Sequence, residues 1–489
     1  MKLKKVSTPF LIASSLLLSV GFTFGQISTF EKTYNYGFVE IAFGLAQTAD
    51  KGFVLAGTQG ISFGDSRAFL TKTDSMGNEE WHQFYGYPYH NQFRAVDQTL
   101  DMGYIAVGMT SGDTVVAPLQ NIYIVRVNTH GDTLWTRTFG SHTASDAALD
   151  VKVMEDSSYV ILAIAHSFSP VGKSDIYLFK LNDSGELLWE QFIGDPDVHD
   201  TATKLELLDD GSFVMVGGKE VPGQSFDALI TKTDSLGNVV WSKTYGWEHN
   251  ENAVDIKVLP TGEYIVAGNT QSFNIMTKPD LFLLKLDSQG DTLWTKVFLG
   301  DGDSEETIWA MVAQDNEYVL MGTNYNDNEI YGTIQMQKIT ASGDIIWTQR
   351  ISGYDNTPYS MIKTDDGGLA ISGIEGTDCF SCAYLIKTNE EGSLVSIIPP
   401  PKPKETLDFQ LYPNPSNGLI NIRFPNSLSR YIQWSIVDIA GRKSHLPDNK
   451  VSGNTSQFQV DLSDFPKGVY FIQMYVDEGF TINKMIILN

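Results

Sequence analysis

The chain has 489 residues, too many for one ordinary domain, and 42% hydrophobic with 12% aromatic residues, which excludes global disorder. The net charge of −25 repels phosphate backbones and makes nucleic acid an unsuitable partner. Only two cysteines occur, Cys379 and Cys382; two ligands are too few for structural zinc, and the pair reads as a local disulfide staple in an oxidising compartment.

Residues 1–25 carry Lys2, Lys4 and Lys5, an apolar run from Phe10 to Phe24, and a small-residue end at Gly25. This is the layout of a secretory signal peptide, and its removal takes the remainder to about −28. No Cys follows the apolar run to carry an N-terminal lipid, and no later stretch suits a membrane helix.

From 26 to 398 one skeleton recurs about every 53 residues: a basic residue, Asp or Asn two later, Gly three further, Trp four beyond. Its copies are Lys72/Asp74/Gly77/Trp81, Arg126/Asn128/Gly131/Trp135, Lys180/Asn182/Gly185/Trp189, Lys232/Asp234/Gly237/Trp241 and Lys285/Asp287/Gly290/Trp294. Two looser copies follow, Lys338/Thr340/Gly343/Trp347 and Lys387/Asn389/Gly392, the last with Ser396 in place of Trp.

Each repeat predicts four strands. In the fifth these are Ala253–Leu259, Tyr264–Gly268, Leu281–Leu286 and Thr292–Phe298, rich in β-branched and aromatic residues and bounded by turn residues. The second strand opens on an aromatic (Phe53, Tyr104, Tyr159, Phe213, Tyr264, Tyr318) and closes on a small residue (Gly57, Gly108, Ala163, Gly217, Gly268, Gly322, Gly373), expected to let neighbouring sheets approach. The fold class is therefore all-β: a seven-bladed β-propeller of four-stranded antiparallel blades. The seventh repeat lacks its Trp, whereas Phe30-Glu-Lys-Thr-Tyr34 matches Trp241-Ser-Lys-Thr-Tyr245. Residues 29–36 are thus expected to complete the last blade and close the ring.

Residues 399–406 form a stiff Pro/Lys linker. Beyond it, 407–489 holds short alternating strands of a small immunoglobulin-like β-sandwich. This segment resembles the type A sorting domain of the type IX secretion system. The match rests on Tyr412-Pro413-Asn414-Pro415 with Gly418, Asp438-Ile-Ala-Gly441-Arg442, Leu462 with Gly468-Val-Tyr470, and the terminal run from Lys484. The resemblance implies an export address read by the type IX machinery, with the cargo released or attached at the cell surface.

The repeats resemble propellers of the pyrroloquinoline-quinone type, where a Gly turn precedes a strand Trp. They depart from the quinone dehydrogenases in blade count and in lacking adjacent cysteines, and from the sialidase Asp-box in the Asp-to-Gly spacing. Neither cofactor nor catalytic residues carry over, and no metal is assigned.

The repeated Asp and Asn residues read either as calcium ligands or as Asx turns feeding a left-handed Gly; the turn suffices. Trp81, Trp135, Trp189, Trp241, Trp294 and Trp347 read either as a sugar-stacking set or as wedges between blades; fixed strand spacing favours wedges. The repeated Lys or Arg reads as a solvated residue whose stem covers its neighbours. Loops leading from one blade to the next hold Tyr87, His90, His142, Asp146, His199, Asp200, Trp247, His249, Asp303 and Tyr354. Aromatics, His and carboxylates on one rim suit a glycan or protein ligand, against a reading as ordinary polar loops. The sequence holds no catalytic motif and reads as a secreted or cell-surface binding protein; the alternative is a propeller glycoside hydrolase or lyase using loop-face carboxylates.

Overall fold

The computed structural model describes residues 28–37, 39–62, 65–86, 90–111, 119–141, 144–166, 172–223, 225–273, 279–298, 304–314, 317–326, 333–351, 356–376, 381–394, 410–428, 432–438, 443–444, 450–451, 455–476 and 480–488. The signal-peptide reading (1–25), the linker (399–406), Tyr87, His142, Asp303, Tyr354, Cys379 and Gly441 lie outside them. Two compact units divide at Ser396/Ile397.

The first unit is a seven-bladed β-propeller. Its seven sheets each pair four antiparallel strands. The first strand of each sheet touches the first strands of the two neighbouring sheets, and the cycle closes with Asn356–Lys363 against Val39–Gln47. Those seven strands form the inner ring. Second and third strands, such as Tyr104–Thr110 and Asn121–Val127, are buried on both faces and read as continuous apolar runs. Outer strands such as Thr133–Phe139 alternate between half-buried and exposed.

The chain's first strand, Phe30–Tyr34, is the outer strand of the last sheet, paired with Cys382–Thr388 in the register Phe30 to Lys387 and Tyr34 to Ala383. Blade 7 is thus built from both ends of the propeller segment.

Each inner strand carries a β-bulge at the same place, as between Ala42 and Gly44, Phe93 and Ala95, or Ala253 and Asp255. The residue before the bulge pairs with the small residue expected to close the second strand, as Ala42 with Gly57 and Ala253 with Gly268, although those strands run on to Ser62 and Thr270. This corrects one expectation. A Cβ at Gly57 would strike the Ile41 carbonyl of its own sheet, not a neighbouring sheet, because the bulge turns that carbonyl inward.

The skeleton residues form one inter-blade contact. A Cβ at Gly131 would meet the Trp81 ring at 2.9 Å, at Gly237 the Trp189 ring at 2.8 Å, and at Gly290 the Trp241 ring at 3.0 Å. Each Trp therefore lies on the Gly turn of the next blade, beside the aromatic opening that blade's second strand: Trp81 to Tyr104 is 5.8 Å and Trp241 to Tyr264 is 6.1 Å between ring centres. The six indoles are half-buried rather than enclosed, since the outer strand keeps one face to solvent.

The Asx turn is realised. Asp74 Oδ1 accepts the Met76 and Asn78 amides at 2.8 Å, and Gly77 has φ +74°. In three of the seven copies the basic residue is buried rather than solvated as expected, while Lys180, Lys232, Lys285 and Lys338 are half-buried. Lys72, Arg126 and Lys387 are buried and pair with Asp50, Asp101 and Asp366, carboxylates of the first turn in the same blade. That turn carries its own signature, Thr48-x-Asp50-x-Gly52, Thr99-x-Asp101-x-Gly103 and Thr364-x-Asp366-x-Gly368. Cys382 is disulfide-bonded.

The second unit is a β-sandwich of a three-stranded and a five-stranded sheet around Ile420, Ile422, Phe424, Ile436, Val460, Leu462, Tyr470, Ile472, Ile486 and Leu488. The motif residues fasten its last strand, Phe480–Leu488, which includes Lys484. Asn414 Oδ1 accepts the Ile487 amide at 3.0 Å, and Ser416 donates its amide to the Ile487 carbonyl at 2.8 Å. Pro413 and Pro415 follow cis bonds on either side of Asn414. Gly418 (φ +118°) leaves no room for a Cβ against Ser463, and Gly468 opens the strand in which Tyr470 donates to the Pro466 carbonyl at 2.8 Å.

Candidate ligand-binding face

Loops from an outer strand to the next inner strand share a face with loops after the second strand, because strand direction alternates across each blade. Seven residues at the start of the inner strands ring this face: Glu40, Asn91, Asp146, Asp200, Glu251, Glu306 and Asn356. All but Glu306 are buried. They staple loops. Glu251 accepts Thr270 Oγ1 and Ser272 Oγ at 2.6 Å and the Trp247 amide at 2.8 Å. Asp200 accepts Lys219 Nζ at 3.1 Å and the Asp195 amide at 2.8 Å. Asp146 accepts the His166 amide at 2.8 Å. Asp146 and Asp200, expected in loops, are therefore strand residues with buried carboxylates. The ring went unread in the sequence, although Glu40-x-Ala42, Asp146-x-Ala148, Asp200-x-Ala202 and Glu251-x-Ala253 carry its signal.

The remaining rim residues fall into separate groups. His90 (φ +39°) precedes Asn91 at the inner edge, and its carbonyl accepts the Ser111 amide. His199 Nδ1 lies 3.0 Å from both the Ser174 amide and its hydroxyl, while the His199 amide donates to Glu220 at 2.9 Å. The His166 ring stands 6.1 Å from the His199 ring, and the His166 amide ties the same residue to Asp146. Asp175, at the start of a neighbouring third strand, has its carboxyl raised above the usual range by burial, with the Asp200 charge adding to the effect.

The most open group lies on blade 5. Trp247 and Phe273 pack edge to face with ring centres 4.9 Å apart, and are 36% and 44% exposed. Phe282 backs the indole from below at 5.7 Å. The two loops that carry the pair are tied to each other: His249 N donates to Ser272 Oγ at 2.8 Å and Asn250 Nδ2 to Gln271 Oε1 at 2.8 Å. Trp247 and His249 thus share one loop, and Phe273 packs on Trp247 from a second loop tied to it.

The comparisons bear mainly on the second unit. Residues 410–488 match the family model described as "Secretion system C-terminal sorting domain". Residues 410–488 are a type IX sorting domain. Such a domain marks this chain for export, to the cell surface or beyond it. The propeller segment is less closely matched. The Regulatory protein FlaEY of Caulobacter vibrioides is 20% identical over 218 residues, covering 40% of this chain and 22% of that protein. The matched part thus spans about a fifth of that protein's length. A puromycin hydrolase mutant is similar at 13% identity and TM-score 0.40, over 68% of this chain and 50% of that one. An endo-arabinase from Bacteroides thetaiotaomicron is similar at 10% identity and TM-score 0.32, over 49% and 93%.

Proposed function

We propose that the protein is a secreted or cell-surface binding protein whose propeller holds a glycan on its loop face, delivered there by the type IX machinery through residues 407–489. The observation that carries this reading is the exposed Trp247–Phe273 pair on loops fastened to each other and to Glu251. A pyranose offers an apolar C–H face to aromatic rings and hydroxyls to a polar rim. Here the two loops that carry the rings also hold Asn250, Gln271 and His249. Fixed loops keep the ordering cost of binding low. A protein ligand would use the same anchors.

The hydrolase reading has Asp175 in its favour, a carboxyl with a raised pKa facing a second carboxylate. A like arrangement recurs one blade on, where burial and the Glu251 charge raise Asp227. A feature repeated from blade to blade suits the scaffold better than a single catalytic centre. The test is a glycan array with the purified protein, followed by a reducing-end assay on the glycans retained. Retention without new reducing ends supports binding; release of reducing ends supports hydrolysis.

A further inference from the structure

The inner-strand bulges place one residue per blade at the same level of the ring: Phe43, Arg94, Leu149, Thr203, Val254, Trp309 and Tyr359. Four of these touch in an arc. Trp309 meets Tyr359 edge-on at 5.2 Å, Tyr359 meets Phe43 at 4.7 Å, and the Arg94 guanidinium sits 4.5 Å over the Phe43 ring. The arc spans blades 6, 7, 1 and 2. The opposite side of the ring has only small or aliphatic groups at this level, and Thr203 there spends its hydroxyl on the Ala253 carbonyl at 2.8 Å. The inner ring therefore has one aromatic wall ending in a cation.

Arg94 differs from the other buried bases. Arg126 holds Asp101 at 2.5 Å and Tyr159 at 2.9 Å. Lys152, Lys204 and Lys257, further along the inner strands, lie in ion pairs with Asp150, Glu206 and Asp255. Arg94 has no carboxylate within ion-pair range among the described residues, and its Nε is buried without an acceptor. The acid on its own strand, Asp97, is turned to the Gln98 and Val153 amides. Burial also holds the Arg94 pKa below its usual value, so the charge gains little from its surroundings. In a chain of net charge −25, a half-buried guanidinium without a carboxylate is open to an anion from outside.

We infer that the inner ring is a second binding site, in which Arg94 takes the carboxylate of an acidic sugar while Phe43, Tyr359 and Trp309 flank its ring. A hexuronate unit unites the two features required, a planar anion for the guanidinium fork and an apolar ring face for the aromatics. This rests on the reading of the propeller as a glycan binder and names the class of glycan for one site.

The test is calorimetric titration of the full chain with tri-galacturonate and with its methyl ester, on the wild type and on Arg94→Gln and Trp309→Phe. Tri-galacturonate should bind the wild type, with quenching of Trp fluorescence that Trp309→Phe abolishes. The ester should bind at least tenfold more weakly. Arg94→Gln should lose at least tenfold in affinity for the acid with an unlowered melting temperature. Equal binding of acid and ester, undiminished binding by Arg94→Gln, or no binding of the acid overturns the inference. If neutral glycans are still held on the array through Trp247, the loop-face reading survives that failure; if no glycan of either kind is held, both fall.

Discussion

Phe30 lies against Gly77 as Trp81 lies against Gly131. Tyr34, four residues on, donates to the Gly77 carbonyl at 2.8 Å, as Tyr85 donates to the Gly131 carbonyl at 2.7 Å. The N-terminal strand thus reproduces the inter-blade contact of an outer strand and joins blade 7 to blade 1. Deleting residues 29–36 should open that seam and bare the edge of Cys382–Thr388. The expected outcome is a lower melting temperature with aggregation on heating, read by calorimetry and light scattering; an unchanged melting curve would refute the seam.

Tryptophans on strands and in loops should part company. Trp294→Ala removes a half-buried ring from the seam with Gly343, so the cost should be about 2 kcal/mol, below the 3–5 typical of an enclosed aromatic. Ligand affinity should be intact in the folded fraction. Trp247→Ala should cost under about 1 kcal/mol and weaken binding. Denaturant melts with paired titrations check both.

Gly290→Ala should be worse than its size suggests. Its φ of +79° disfavours any side chain, and the new methyl would press on Trp241 at 3.0 Å. A loss of roughly 1–2 kcal/mol is expected from the backbone alone, with more from the displaced ring. Gly223→Ala (φ +77°), with nothing within 4 Å, should show only the backbone part. Equal losses would deny the contact.

His82 gives the propeller an acid-sensitive element. Its ring stacks on Tyr36 at 3.6 Å and is held by Thr71 at 2.8 Å. Burial, with Arg67 adding to it, lowers its pKa from 6.5 to about 4. Between those values the unfolded chain takes up a proton that the folded chain refuses, so stability is full above about pH 6.5 and declines as pH falls towards 4. His82→Gln should flatten that decline in melts run from pH 7 to 4.

Removing residues 407–489 should leave the propeller folded and block its export, so that it accumulates in the periplasm of the producing bacterium. Cell fractionation reads the outcome. Substituting Asn414 by Ala, which frees the last strand from its Ile487 contact, should reduce export without touching the propeller.

Much of the fold could be read from residues alone, and the reason is periodicity. Asp287 and Gly290 shape one turn, Gly290 and Trp294 supply the two halves of the same kind of seam to opposite neighbours, and Lys285 pairs with Glu263 of the blade's first turn, so one spacing recurs from copy to copy. The ring of Glu40, Asn91, Asp146, Asp200, Glu251, Glu306 and Asn356 escaped notice because its chemistry varies between acid and amide while its place does not. The burial of Lys72 and Arg126 is hidden from the sequence for another reason: their partners Asp50 and Asp101 sit in a different turn, about 25 residues earlier, and only pairing of the strands brings them together. The Trp309–Tyr359–Phe43–Arg94 arc is harder still, since its members come from four blades and meet only when the ring closes.

The most direct measurement for the loop face is the affinity of the strongest neutral array glycan for the wild type and for Trp247→Ala. The aromatic pair on blade 5 predicts at least tenfold weaker binding by the variant, an unchanged melting temperature, and no glycan turnover by either protein. Equal affinity for both proteins, or cleavage of the glycan by the wild type, would contradict it.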